Sequence, residues 1–202
     1  MKEGDFMRLK LYLIILAVSI LTIFLVNFFL LKSMIDMVVL ILWSFLNPIV
    51  IIGLDGIIAA IIHHTFIPES CFYPENKLYQ VQKKELSFYR KIKINAWKDF
   101  VPETGKQTTG MSKSKIEKTT SEYLYLFLIE TCYAEIIHYF MAIIGFLPMI
   151  FAPRPILFSL AFTQGMVNFV LNIPPILIQR NNRPKLQHIY ERQKKKDANL
   201  EG

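Results

Sequence analysis

Four apolar stretches, each long enough to cross a lipid bilayer, constrain this chain more than any other feature of its sequence. A helix needs about 20 residues, at about 1.5 Å each, to span the hydrocarbon core. The stretches cover approximately residues 9–31, 37–62, 123–151 and 156–178. Hydrophobic residues make up 53% of the 202, and charged residues lie mostly between the stretches. This segregation predicts an all-α integral membrane protein, a bundle of four transmembrane helices.

The spacing of the stretches predicts four regions along the chain. Residues 1–62 form an N-terminal pair of transmembrane helices, and residues 123–179 form a second pair. Residues 63–122 form a polar segment between the pairs, and residues 180–202 form a basic tail. In the polar segment, residues 85–96 have the spacing of an amphipathic helix. We expect its apolar side chains to face the membrane surface; they are Leu86, Tyr89, Ile92 and Ile94.

The lysines and arginines are distributed unevenly around the four stretches. Eleven lie in the polar segment and seven follow the fourth stretch. One lies between the first and second stretches, and one lies between the third and fourth. Because basic residues concentrate on the cytoplasmic side of membrane proteins, both termini and the polar segment are predicted to be cytoplasmic. The net charge of +7 is then explained by membrane-flanking segments, without a nucleic-acid partner. We predict a multi-pass membrane protein.

The third stretch contains polar residues that are costly to place in lipid. A charge at the centre of a span costs about 2.5–3.5 kcal/mol on the insertion scale. At about 100° per residue, the polar residues share an arc of about 140°; they are Glu130, Thr131, Glu135 and His138. They are therefore expected to face the interior of the bundle. Such a group is treated by default as a candidate functional site.

The sequence Glu135-x-x-His138 places a carboxylate one helical turn from an imidazole. In a catalytic interpretation, Glu135 orients His138, which removes the proton from a hydroxyl nucleophile. In a structural interpretation, these side chains only form hydrogen bonds between helices. A metal interpretation normally requires a second Glu-x-x-His and further carboxylates. Only one such motif is present, so neither a metal nor a bound cofactor is predicted.

Further polar residues could complete a site. Gln164, Asn168 and Asn172 form a stripe along the fourth stretch, and Asp55 lies near the cytoplasmic end of the second. The stripe suits either a substrate or a neighbouring helix. Arg180 and Arg183 follow the fourth stretch, and Trp97-Lys98 lies in the polar segment. The arginines suit either anionic lipid or the phosphates of an acyl donor, and Trp97-Lys98 suits an interfacial anchor.

Three blocks of residues, in order and approximate spacing, resemble a known family. They are Phe88-Tyr89-Arg90 through Trp97-Lys98-Asp99 to Pro102-Glu103-Thr104-Gly105; Glu130-Thr131, Ala134-Glu135 and His138; and Asn172-Ile173-Pro174, Gln179-Arg180 and Asn182-Arg183-Pro184. The chain thereby resembles the glycosyl-4,4'-diaponeurosporenoate acyltransferases of bacterial carotenoid biosynthesis, over roughly residues 67–192. It departs from the family pattern at Tyr133, where arginine is usual, and at Asn181, where tyrosine is usual.

The resemblance implies a membrane acyltransferase. The family esterifies a sugar hydroxyl of a glycosylated C30 carotenoid acid with a fatty acyl group. The expected partners are membrane lipid, a lipid-like acceptor and an acyl donor such as acyl-CoA as co-substrate. The expected catalytic residues are His138, Glu135 and Glu130, and the expected substrate-binding residues are Asn168, Asn172, Arg180, Asn182, Arg183, Trp97 and Lys98.

Other classes of protein remain open at this point. A lipid or isoprenoid carrier would bind or move protons on the same carboxylates without forming an ester. A small structural membrane subunit would use the polar stripes to dock a partner helix and would co-purify with that partner. A methyltransferase acting on a prenyl substrate would also suit the arginine-rich end after the last stretch.

Overall fold

The computed structural model describes residues 3–64, 68–101, 116, 118–151 and 156–200. Within those ranges the regular structure is entirely helical. The α-helices are α1 (Glu3–Leu31), α2 (Met37–His64), α3 (Lys83–Lys91), α4 (Ile94–Trp97), α5 (Ser121–Ile144), α6 (Pro148–Phe151) and α7 (Ile156–Leu200). Three short 3-10 helices cover Glu69–Phe72, Lys77–Tyr79 and Lys98–Phe100.

Four helical segments are long and apolar enough to cross a membrane. They cover Lys10–Leu31, Met37–Ile62, Ser121–Phe151 and Phe158–Asn199. The prediction of an all-α chain with four such segments is confirmed, and the chain is a multi-pass membrane protein by length and composition. The bundle arrangement of the four segments and the interfacial position of residues 63–122 stay predictions.

Helix α7 extends beyond the predicted fourth stretch, through the predicted basic tail, to Leu200. It contains Pro174, Pro175 and Pro184. Each proline removes one backbone donor, which is tolerated where the surroundings fix the chain. Packing provides this support, because Leu186 is buried against Leu124, Phe127 and Leu128 of α5.

The predicted amphipathic helix over residues 85–96 is wrong in two respects. First, it is broken: α3 ends at Lys91, Lys93 adopts a left-handed conformation with φ of 52°, and α4 begins at Ile94. Second, its apolar side chains pack inside the protein instead of facing the membrane surface. Tyr89 and Ile94 are buried with Ile178 of α7, and Leu86, Ile92 and Trp97 pack against them.

The chain divides into two compact units. The first comprises residues 1–60 and 139–173, and the second comprises residues 61–138 and 174–202. In the first unit, Leu31, Leu40 and Leu160 form a buried apolar cluster. The predicted four-part division at residues 62, 122 and 179 is not tested by this packing and stays a prediction.

The asparagines of the fourth stretch are buried in the first unit. Asn168 donates from Nδ2 to the carbonyl of Met141 at 2.7 Å, and Asn172 donates to the carbonyl of Asn168 at 3.0 Å. The Asp55 side chain also forms a hydrogen bond with Asn168. Gly145 lies so close to Asn168 that a Cβ atom there would be 2.7 Å from Nδ2 and 2.8 Å from Cβ. Asn168 therefore occupies a tightly packed position.

Replacing Gly145 with alanine should destabilise the first unit by about 1–3 kcal/mol, as overpacking does elsewhere. The added methyl group would displace Asn168 and its hydrogen bond to Met141. Gly56→Ala is the matched control, because a Cβ atom at Gly56 would have no neighbour within 4 Å. Thermal unfolding in detergent measures both variants. Equal melting temperatures would contradict the close packing at Gly145.

Candidate functional site

Glu135 lies at the centre of a buried charged cluster in the second unit. Its side chain is 0% exposed, and arginines from α7 approach both carboxylate oxygens. Arg180 Nη1 donates to Oε1 at 2.5 Å, and Arg183 Nη2 lies 2.6 Å from Oε2. The two arginines are three residues apart, so they lie on the same face of the helix. Two guanidinium groups thus approach the carboxylate from one side of α7 and fix its orientation.

Arg183 is held on all sides within the protein. Its side chain is 2% exposed. Nε and Nη2 donate to the hydroxyl and carbonyl of Thr131, each at 3.0 Å, and Nη1 donates to the carbonyl of Tyr79 at 3.0 Å. The guanidinium carbon also lies 5.2 Å from the centre of the Tyr79 ring, within cation–π range. Arg183 thus connects α5, α7 and the 3-10 helix that contains Tyr79.

Arg180 connects Glu135 to a second carboxylate, Glu85 of α3. It forms a bidentate ion pair with Glu85, through Nε and through Nη2 at 3.1 Å. Nη1 and Nη2 also donate to the carbonyls of Leu78 and Gln80, at 3.1 and 3.3 Å. The side chains of Arg180 and Glu85 are 14% and 24% exposed. They are more exposed than those of Arg183 and Glu135, which form the inner pair. Two carboxylates and two guanidinium groups therefore balance one another in charge.

The charge of Glu85 is stabilised by its neighbours. Partial burial raises the pKa of Glu85, but hydrogen bonds from Arg180 and from the Tyr89 hydroxyl outweigh burial, so the pKa lies below its ordinary value of 4.5. Burial and the hydrogen bond to Glu85 both raise the pKa of the Tyr89 phenol. The carboxylate thus accepts from a phenol that stays protonated.

Acid should weaken the fold through Glu85. Because its pKa is lowered in the folded protein, its ionised form stabilises the fold at pH values above the ordinary carboxyl value, and this contribution disappears as the pH falls through the lowered value. Melting temperatures from about pH 7 to about pH 3 measure the effect. They should fall further in the wild type than in Glu85→Gln. Parallel pH profiles would show that Glu85 contributes nothing.

The predicted polar face of α5 is unevenly buried. Between residues 130 and 138, those buried to at least 97% are Thr131, Cys132 and Glu135. Glu130 and His138 are only half-buried. With Glu130 at 0°, the buried residues lie at about 100–200° around the helix, and His138 lies at about 80°. Glu130 and His138 therefore lie to one side of the buried face.

The structure brings together three of the predicted site residues: Glu135, Arg180 and Arg183. In the same unit, Trp97, Lys98 and Asn182 are half-buried. The Trp97 indole donates to the carbonyl of Ile92, and Asn182 accepts from Asn181. Asn168 and Asn172 are buried in the first unit. Two hypotheses stay predictions: that all of the predicted site residues complete one site, and that Glu135 orients His138.

Sequence reasoning missed Glu85 and Tyr79 as members of the cluster. Glu85 is one acidic residue in a charged helix, and the hydrogen bond of Tyr79 to Arg183 uses a backbone carbonyl, which no side-chain motif reveals. The departures from the family pattern also have local partners. Tyr133 stacks on Phe72 with ring centres 3.7 Å apart, and Asn181 donates to Asn95 at 3.3 Å.

Among the described side chains, no group of three histidine, cysteine, aspartate or glutamate residues lies close enough together to hold a metal ion. The anionic centre of the second unit is instead neutralised by arginines.

The helices and the buried cluster define a multi-pass helical membrane protein in whose second unit two arginines balance the charge of two carboxylates. Residues 69–192 match the model of the glycosyl-4,4'-diaponeurosporenoate acyltransferase family. All the residues of the buried cluster lie in that range; they are Tyr79, Glu85, Thr131, Glu135, Arg180 and Arg183. The chain belongs to this family, which confirms the resemblance and places it among acyltransferases of carotenoid biosynthesis.

A curated relative supports the same conclusion. The chain is 29% identical over 124 residues to a glycosyl-4,4'-diaponeurosporenoate acyltransferase of Staphylococcus haemolyticus. The matched region covers 60% of this chain and 68% of the relative. No solved structure matches the chain.

Proposed function

We propose that this chain is a membrane acyltransferase that esterifies a sugar hydroxyl of a glycosylated carotenoid acid with a fatty acyl group. The observation that carries the proposal is the family match over residues 69–192. The name of the relative supports the same carotenoid acceptor. The proposed donor is acyl-CoA, because its phosphates suit the arginines that follow the predicted fourth stretch.

In the proposed reaction, His138 acts as the general base. It removes the proton from the acceptor hydroxyl, whose oxygen then attacks the thioester carbonyl of the donor. The new C–O ester bond forms, the C–S bond breaks, and the thiolate of coenzyme A takes the proton from His138. In this proposal Glu135, one helical turn away on the same helix, orients the imidazole.

The donor and the acceptor are assigned to different residues in this proposal. Arg180 binds a donor phosphate, because its side chain is 14% exposed whereas that of Arg183 is 2% exposed. Arg183 serves the site by holding Glu135 and Thr131. The remaining proposed contacts are Trp97, Lys98 and Asn182 with the donor, and Glu130, Asn168 and Asn172 with the acceptor.

A lipid-like acceptor suits the surface of the first unit. One apolar groove of about 580 Å³ lies between α1 and α2, and another of about 500 Å³ lies between α1 and α7. Both volumes fall in the range typical of small-molecule sites. The distribution of basic residues supports cytoplasmic termini in a bacterial membrane, on the side where acyl-CoA is available.

Mass spectrometry of lipid extracts tests the proposal. Cells that make a glycosylated carotenoid acid should produce its fatty-acyl ester when they express this chain, and should not produce it with an empty vector. Absence of the ester at confirmed membrane abundance would overturn the proposed acceptor. Co-purification with a fixed partner instead of ester formation would favour a structural subunit, and movement of unmodified isoprenoid would favour a carrier.

A further inference from the structure

The guanidinium group of Arg180 has no donor left for a ligand in this structure. An arginine carries five N–H groups. Those of Arg180 are directed to the two carboxylate oxygens of Glu85, one oxygen of Glu135, and the carbonyls of Leu78 and Gln80. A phosphate can therefore bind Arg180 only if one of these acceptors leaves.

Glu85 is the acceptor that can leave most readily. Glu135 is 0% exposed and is also held by Arg183, and the two carbonyls belong to the main chain. Glu85 is 24% exposed at the end of a flexible side chain. A partly exposed ion pair contributes little to stability, whereas a buried one is costly to break.

The geometry of the Glu85–Arg180 pair matches that of a phosphate contact. Carboxylates and phosphates both bind the planar guanidinium fork through two parallel hydrogen bonds. Glu85 uses both of its oxygens in this way, on Nε and Nη2 of Arg180. The pair thus contains a ready anion site that is occupied by the protein itself.

We propose that Glu85 occupies the phosphate site of Arg180, and that a phosphate group of an incoming ligand displaces it. This inference rests on the proposed function, in which Arg180 binds the phosphates of the acyl donor. It adds Glu85 as a residue that sets donor affinity by competing for the same guanidinium group. No covalent step is involved.

The displacement moves the Glu85 side chain and breaks its hydrogen bond from the Tyr89 hydroxyl, but it requires no movement of the surrounding helices. Helix α3 stays anchored through Tyr89, which is 3% exposed and packs with Ile94 and Ile178. Arg180 also keeps its bonds to Glu135 and to the two carbonyls. When Glu85 leaves, the site that it vacates is still shaped by these contacts.

Binding of coenzyme A to the full chain in phosphatidylcholine nanodiscs tests the inference. Coenzyme A carries the phosphates but no acyl group, so no transfer occurs. Glu85→Gln should bind it up to about fivefold more tightly than the wild type, which corresponds to the upper end of the range for a partly exposed ion pair. Glu191→Gln is the matched control, since Glu191 is an exposed glutamate of α7, and its affinity should equal that of the wild type.

A kinetic measurement separates competition from a purely structural role. In Glu85→Gln the KM for acyl-CoA should fall while kcat changes less, whereas loss of a merely structural contact would lower kcat and the melting temperature together. Unchanged or weaker binding of coenzyme A by a folded Glu85→Gln protein would overturn displacement of Glu85 by the acyl donor.

A lipid headgroup is the second possible source of the phosphate. Nanodiscs that contain phosphatidylglycerol, without coenzyme A, distinguish the two sources when retained lipid is counted by native mass spectrometry. Greater retention of phosphatidylglycerol by Glu85→Gln than by the wild type would support displacement by a headgroup. If Glu85→Gln bound neither coenzyme A nor the lipid more tightly, the inference would be overturned. Tighter binding of coenzyme A by Glu85→Gln, without ester formation by the wild type, would support the phosphate site at Arg180 but not the proposed reaction. Ester formation by the wild type, with no change in affinity in Glu85→Gln, would support the reaction but not the phosphate site.

Discussion

Replacing Arg183 with methionine should destabilise the second unit by about 3–5 kcal/mol, the usual cost of breaking a buried ion pair by removing one partner. Glu135 would keep Arg180 but lose the cation that lies 2.6 Å from Oε2. The Thr131 and Tyr79 carbonyls would lose their donors as well. Since whole domains are stable by only about 5–15 kcal/mol, membrane abundance should fall severely.

Arg192→Met is the matched control, because Arg192 is an exposed arginine on the same helix. It should leave abundance and melting temperature close to those of the wild type. Replacing the inner pair together, as Glu135→Leu with Arg183→Met, should recover part of the lost stability because no buried carboxylate remains. If Arg183→Met were as stable as Arg192→Met, the inner pair would not hold the unit together.

The membrane-spanning segments could be predicted because they depend on composition over long windows. An apolar stretch as long as residues 9–31 is typical of a transmembrane helix. The structure places a candidate span at Lys10–Leu31. The end of the fourth helix could not be predicted in this way. Its last part is held by specific contacts, such as Leu186 with α5, and not by hydrophobicity.

The candidate site was predictable only in part, since periodicity gives one face of one helix. It placed Glu135 on a polar face, and the basic residues after the fourth stretch singled out Arg180 and Arg183 as contacts for lipid or phosphate. The pairing of these residues depends on contacts across 45–95 positions of sequence, which periodicity does not contain. Glu85 was missed for this reason, and Arg183 was assigned to a ligand although its contacts are internal.

The break at Lys93 shows a further limit. Residues 85–96 have helical spacing, yet the chain turns at a left-handed lysine so that Tyr89 and Ile94 can both be buried against Ile178. A left-handed conformation is uncommon for a residue other than glycine. Tertiary packing therefore outweighed local preference, and sequence spacing alone could not reveal it.

Replacing His138 with alanine should reduce ester formation by about 10²–10⁴-fold if His138 is the general base. The measurement is the amount of acyl ester per unit of membrane-embedded protein. Because His138 is half-buried and lies to one side of the buried face of α5, we expect abundance to change little. This result would differ from that of Arg183→Met, in which activity should fall because the protein is lost.

His188→Ala is the matched control for the loss of an imidazole, because His188 is exposed on α7. It should form as much ester as the wild type. Near-normal turnover by His138→Ala, at equal abundance, would remove His138 from the reaction and leave the family assignment intact. A loss confined to His138→Ala, at equal abundance, would show that the imidazole of His138 acts in the reaction itself and not through the stability of the protein.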